Sequence, residues 1–383
     1  MELNEIISLT KEIASTIVQD EVGFCDKNYQ WHEKGMKAMQ DAGLAGLVIP
    51  IEYGGLGQGL YGLAKVCEVL GAVSPSMGIC FGMHCVGSAV IASKATEYQV
   101  ENFLKPICEG KHITTLTLSE PGTGAHFYYP QTTVISNDND TFSLNGVKSF
   151  STNGNKADSY VVSTVAASPE AAIGNFSCVL VENNVPGLEW GGEWNGIGMR
   201  GNSSLTLKLD NVQIPKENLL GDEGDQIWYV FNVVAPYFLI AMSGTYLGIS
   251  NSAFEQAKNH LTHRVHSHNG LSLSQNQLLQ HRLGEIWTEL KSTEKLIEWA
   301  AKEGDSAGEL SVPALCSAKA KVAKTAVKLV NEAMTICGGK GYQDGEILDR
   351  LLRDSRAADV MAPTTDLLFT WVGRALLEEP ILD

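Results

Sequence analysis

The chain reads as an α+β protein of three consecutive segments, helical, then β, then helical. Two observations predict this. Apolar residues recur three and four apart near both ends, and the middle consists of short Thr-, Val-, Ser- and Leu-rich runs separated by turn formers. The expected organisation is an N-terminal helical domain over 1–115, a middle antiparallel β-barrel domain over 116–222 and a C-terminal helical bundle over 223–383. With 383 residues there is enough chain for each unit to share a real core.

The helical period of the first segment is clearest over 34–42 and 64–70, with the glycine-rich connection GLAGLVIPIEYGGLGQG between them. From Ile113 the pattern shortens into TTLTLSE, TTVISN, FSLNG, SYVVSTVAA, FSCVLVE and LTLKLDNVQI. The turn formers PGTG, NDND, NNVPG and GNSS divide these runs. Strands this short and this evenly spaced predict an antiparallel barrel or sandwich, not βαβ units. After Leu220-Gly221 the helical period returns. It predicts four or five long helices with breaks near 268–272, 304–312 and 338–345.

Charge narrows the range of partners. With 28 basic and 44 acidic residues the net charge is −16, which repels phosphate backbones and anionic membrane surfaces and argues against nucleic-acid binding. Residues 69–93 and 226–254 carry no formal charge and are long enough to span a bilayer. Neither has a flanking Lys/Arg cluster, so both are expected as core helices and no membrane partner is expected. Eight cysteines without CxxC spacing, and an N-terminus without a signal-peptide core, predict free thiols in a reducing cytoplasm.

Three patterns point to chemistry that their surroundings do not support. Gly57-Gln-Gly59-Leu-Tyr-Gly62 fits G-x-G-x-x-G but lacks the following acid and βαβ context of a dinucleotide site. His260, His263, His266 and His268 lack nearby carboxylates or thiols to close a metal shell, so no metal is expected. No G-x-S-x-G elbow supports a hydrolase.

Five ordered segments then carry a resemblance. They are Leu118-Ser-Glu-Pro-Gly-Thr-Gly124; Lys148-Ser-Phe-Ser-Thr-Asn-Gly154; Gly198-Met-Arg-Gly201 with Asp210-Asn-Val-Gln-Ile-Pro215 and Asn218-Leu-Leu-Gly221; Ile336-Cys-Gly-Gly-Lys-Gly-Tyr342; and Arg353-Asp354. Together they resemble the acyl-CoA dehydrogenase family. The resemblance implies FAD, whose ring needs donors that backbone N–H groups and small hydroxyls provide without bulk. It implies that Thr117, Ser119 and Gly124 lie along the flavin, that Thr152 donates near N5, and that Phe150 packs on the ring where the family usually has Trp. It further implies that Arg264, Gln277, Gly338, Gly339 and Gly341 meet the dinucleotide of a neighbouring subunit in a homotetramer or homodimer, and that Thr364 also binds the cofactor. Ser267-His268 replaces the Phe-Gly that usually follows the arginine.

The resemblance implies oxidation of an acyl thioester, on CoA or a carrier protein, with electrons passing to an electron-transfer flavoprotein or oxygen. That chemistry requires a base for the α-proton. The customary Glu-Gly-Thr segment reads Ala362-Pro363-Thr364 here, and the alternative position on an earlier helix falls on Phe238 and Leu239. Asp366, one turn from Ala362 if the segment is helical, is the candidate base, with His84 and Tyr237 as other possibilities. Two further readings stand beside it: oxidation without carboxylate-assisted proton removal, such as monooxygenation or heteroatom or alcohol oxidation, and non-catalytic flavin binding. The aromatic run after Gly124, with Tyr128 and Tyr129, either narrows the substrate entrance or packs the barrel.

Overall fold

The computed structural model describes residues 1–166 and 176–382. Helices occupy the chain up to Cys108, eight strands run between Thr114 and Leu220, and helices resume at Gln226. The strands are β1 (Thr114–Thr117), β2 (Thr133–Ser136), β3 (Thr141–Ser151), β4 (Ser159–Ala166), β5 (Phe176–Glu182), β6 (Leu188–Gly191), β7 (Leu205–Pro215) and β8 (Leu219–Leu220). They pair in the order β6-β7-β3-β2-β4-β5-β8. The pairs are antiparallel except for β1 with β4 and a short β2–β4 contact, which are parallel.

The charge-free stretches are core helices. Pro75–Ser93 begins at Ser74, whose hydroxyl accepts from the Met77 N–H, with Pro75 at the first helical position. It is apolar nearly all round and 89% of its most apolar window is buried. It packs on Leu60–Val73, on Ala235–His263 and on β1, so it lies where bundle and sheet meet. Close approach between helices is made by small residues: a Cβ at Gly71 would come within 2.4 Å of the Thr245 carbonyl oxygen. The 226–254 stretch runs through a π-helical turn at Val230–Val234 into Ala235–His263, which packs against Leu60–Val73 and Ser311–Cys337.

The G-x-G-x-x-G segment follows a 3-10 turn, Ile51–Tyr53, not a strand. It opens the helix Leu60–Val73, whose first N–H groups are already taken. Asp305 accepts from Leu60 N at 2.6 Å and from Tyr61 N at 3.0 Å. A carboxylate of this chain therefore fills the anion position of that helix end. All eight cysteines are free and all but Cys108 are buried.

Candidate active site

Sheet and bundle enclose a cavity of about 720 Å³. Its strand-side wall is polar. Thr117, the last residue of β1, is buried, and its hydroxyl has no hydrogen-bond partner among the described residues. An unmade bond at a buried hydroxyl costs free energy unless a ligand completes it. Thr152 is also buried, and its hydroxyl lies a marginal 3.5 Å from Ser204 Oγ. Ser119 is joined to the same wall because its carbonyl accepts from Ser149 N at 2.8 Å. Gly124 lines the cavity at φ +55°, a backbone conformation that side chains rarely adopt.

Phe150 reaches the cavity through a fault in the sheet. The β3–β7 register slips between Lys148 and Ser151, and Phe150 sits at φ +55° with 70% of its surface exposed. A bulge re-aims side chains that regular alternation would have placed elsewhere. The ring meets Trp194 edge-on, centroids 6.4 Å apart. Trp194, Ser204, Met199 and Phe127 belong to the cavity wall but were not singled out from sequence. The Gly-rich run around Gly191–Gly201 was the available signal for two of them.

The loop that carries Ser119 and Gly124 is anchored from within. Lys148, wholly buried, donates to Glu120 Oε1 at 2.5 Å and to the Ser163 carbonyl at 2.6 Å. Glu120 also accepts from Gln131 N and Thr132 N. Glu120 borders the cavity, yet its oxygens are committed to the loop. The aromatic run is packed: Tyr128 is buried against Tyr129, Phe231 and Trp371, and His126 Nδ1 lies 2.9 Å from its hydroxyl.

The facing wall is helical and carries no proton acceptor: Val234, Ala235, Phe238, Met361, Ala362 and Pro363 are apolar, and Arg353 and Arg356 also line it. Both customary base positions thus converge on one cavity, and neither carries a titratable group. Asp366 is exposed and does not line the cavity. The helix Ala357–Val360 ends at Met361, whose φ −67° and ψ 125° are extended, and the next helix starts at Thr365. The two residues therefore do not share a helical face. Thr364 caps that second helix, its hydroxyl accepting from Leu367 N, and is not part of the wall. His84 is enclosed between backbones: its Nδ1 accepts from Thr114 N at 3.2 Å, and its Nε2 lies 3.0 Å from the Ala45 carbonyl. Burial holds its pKa below the ordinary value, and it too is absent from the wall, as is Tyr237.

A second cavity of about 680 Å³ brings together Arg264, Gly339 and Gly341 with His260, His263 and Lys340. Gly338 adjoins it at φ +60°. Gln277 is exposed at the first position of Gln277–Asp305 and lines neither cavity. Of the four histidines, His260 and His263 face this cavity, while His266 and His268 pair with each other, ring centroids 5.2 Å apart.

Three family models match in succession: the acyl-CoA dehydrogenase N-terminal domain over residues 2–111, the middle domain over 115–212 and the C-terminal domain over 237–377. The chain belongs to the acyl-CoA dehydrogenase family, and is an acyl-CoA dehydrogenase-like flavoenzyme. It is 29% identical over 346 residues to an acyl-CoA dehydrogenase of Bacillus subtilis, covering 89% of each chain. Among solved structures it is similar to a chain from the electron transferring flavoprotein work on Acidaminococcus fermentans, at 28% identity, 99% coverage of each chain and a TM-score of 0.92. The butyryl-CoA dehydrogenase of Megasphaera elsdenii shares the fold at 24% identity, 98% coverage of each and a TM-score of 0.92.

Proposed function

We propose that this chain is a cytoplasmic FAD-dependent oxidoreductase that acts on an acyl thioester, linked to CoA or to a carrier protein. One observation carries the reading: a buried hydroxyl, Thr117 Oγ1, stands unpartnered on the wall of the large cavity, with Ser119 and Thr152 beside it. These residues fit a flavin ring. The pyrophosphate would lie in the second cavity of a neighbouring subunit, against Arg264 and the Gly338–Gly341 backbone, with Gln277 as a dinucleotide contact outside that cavity, which makes the active form at least a dimer. When bound, the flavin supplies the two-electron acceptor. The chain's own residues hold its edge through Thr117, Ser119 and Thr152, cover it with Phe150 and Trp194, and exclude water with Phe127, Phe238 and Met361.

The test is anaerobic. The purified yellow protein is mixed with a panel of acyl thioesters on CoA and on carrier protein, and flavin absorbance is followed. Bleaching by one class identifies the tether, and no bleaching by any member sinks the thioester reading. Adding an electron-transfer flavoprotein or oxygen afterwards identifies the acceptor.

A second reading is favoured by the apolar wall at Phe238 and Ala362, where no side chain can accept an α-proton. On that reading the substrate is oxidised without carboxylate assistance, by oxygen insertion or at a heteroatom or alcohol. Labelled dioxygen separates the two, since label in the product is required for insertion.

A further inference from the structure

Lys319 lies on the helix Ser311–Cys337 and has no exposed surface. Its ammonium donates to three carbonyls of one short segment: Ala358 at 2.8 Å, Met361 at 3.2 Å and Pro363 at 2.9 Å. An ammonium has three N–H donors, so all are used and none is left for a substrate. Burial pulls its pKa down to about 8, opposed by the charge of Asp359, so the ammonium keeps its three protons at neutral pH. Among the described residues no carboxylate bonds it directly. Asp359 is engaged elsewhere, accepting from Thr365 Oγ1 at 2.9 Å and from Arg356 at 2.5 Å.

A buried charge held only by carbonyl dipoles is costly, and removing it would leave three carbonyls without their donor. What the ammonium adds is geometric. The segment it grips has little regular structure of its own between the end of Ala357–Val360 and the start of Thr365–Leu376. Three of its residues, Met361, Ala362 and Pro363, form the cavity wall opposite Thr117 and Thr152. The Tyr246 hydroxyl, 3.2 Å from the Met361 sulfur, braces the same segment from Ala235–His263.

We propose that Lys319 is a positioning residue that clamps segment 358–363 and so fixes the spacing between the apolar wall and the hydroxyl wall of the cavity. Its kinetic consequence rests on the thioester reading above; the clamp itself does not. The experiment compares wild-type, Lys319→Met and Lys319→Arg holoenzymes by hydrogen exchange and, for the thioester that bleaches the wild type, by kcat and KM. Loss of the clamp raises amide exchange across 358–364 by ~10-fold or more. Exchange in Gln277–Asp305 stays unchanged, and flavin is retained. Misplacing the wall by about 1 Å lowers kcat on the order of 10²-fold with KM within a few-fold, and Lys319→Arg recovers part of both effects. Unchanged exchange at 358–364, or an equal rise in every helix, overturns the clamp. An opened segment with unchanged kcat overturns its role in positioning. If no thioester bleaches the wild type, the thioester reading falls while the exchange arm still decides the clamp. Should Lys319→Met not fold, Lys319→Gln takes its place, and the same changes in exchange and kcat support or overturn the clamp.

Discussion

The two walls of the large cavity are built from opposite materials. The strand side presents Thr117, Ser119, Thr152 and Ser204, and the helical side presents Val234, Ala235, Phe238, Met361, Ala362 and Pro363. Hydroxyls on strands suit a planar, acceptor-rich ring, and the sheet holds them still from behind. Apart from Arg353 and Arg356, the helical wall offers hydrocarbon, and it contains no proton acceptor. Holding the cofactor and moving the proton are thus separable tasks on this scaffold, carried by different layers. This chain has kept residues suited to the first and, at both customary positions, lacks those for the second.

The largest effect is expected from placing a carboxylate on the helical wall. Ala362→Glu is expected to raise the rate of anaerobic flavin bleaching by an acyl thioester by ~10²–10⁴, the usual worth of a placed general base. No gain in stopped-flow absorbance would mean that the helical wall is unsuited to α-proton removal whatever residue stands there. A smaller effect is expected on the other wall. Thr117→Val removes the unpartnered hydroxyl, and FAD affinity should fall by roughly 5- to 10-fold, about 1 kcal/mol for one hydrogen bond. Equilibrium fluorescence titration of apoprotein measures it, and unchanged affinity would detach Thr117 from the cofactor.

Smaller again is a stability effect at the join between the walls. Asp354 is buried and accepts from Met199 N at 2.6 Å, tying the helical bundle to the loop that edges the cavity. Burial pushes its pKa from 3.8 up to about 6. The folded state therefore holds this proton more tightly than the unfolded state. The stabilising contribution is full below 3.8 and is lost as pH rises through 6. Asp354→Asn should remove that slope, leaving wild-type Tm falling about 2–5 °C more than the variant's between pH 4 and pH 6 in paired melts. The smallest expected effect is at Asp366, where Asp366→Asn should leave steady-state turnover unchanged within about twofold, because the carboxylate is exposed and off the wall. A large loss would restore it as the base.

The order of segments was legible because each signal is local. A 3.6 period, a run of β-branched residues or a turn tetrapeptide declares itself within ten residues. The strand-side lining of the cavity was legible for a related reason: Ser119, Phe150 and Thr152 sit within short motifs, and Thr117 immediately precedes one. The base was not. Placing Asp366 beside Ala362 assumed one continuous helix, whereas the chain is extended at Met361 and restarts at Thr364. The carbonyls at that break accept from Lys319, more than forty residues away in sequence, which no local pattern reports. For Phe150 the backbone was not legible: the register slip against β7 gives its positive φ and exposed ring, and no local pattern marks that slip.

The seven buried thiols give the chain a set of internal clocks. A thiol alkylates as thiolate, and burial pushes those of Cys25, Cys67, Cys178 and Cys316 up to about 12, so reagent must wait for an opening event. Cys25, Cys67, Cys80 and Cys85 time the first helical segment, Cys178 the sheet, and Cys316 and Cys337 the last bundle. Pulse alkylation read by mass therefore resolves which layer breathes first, with no label added and no residue changed.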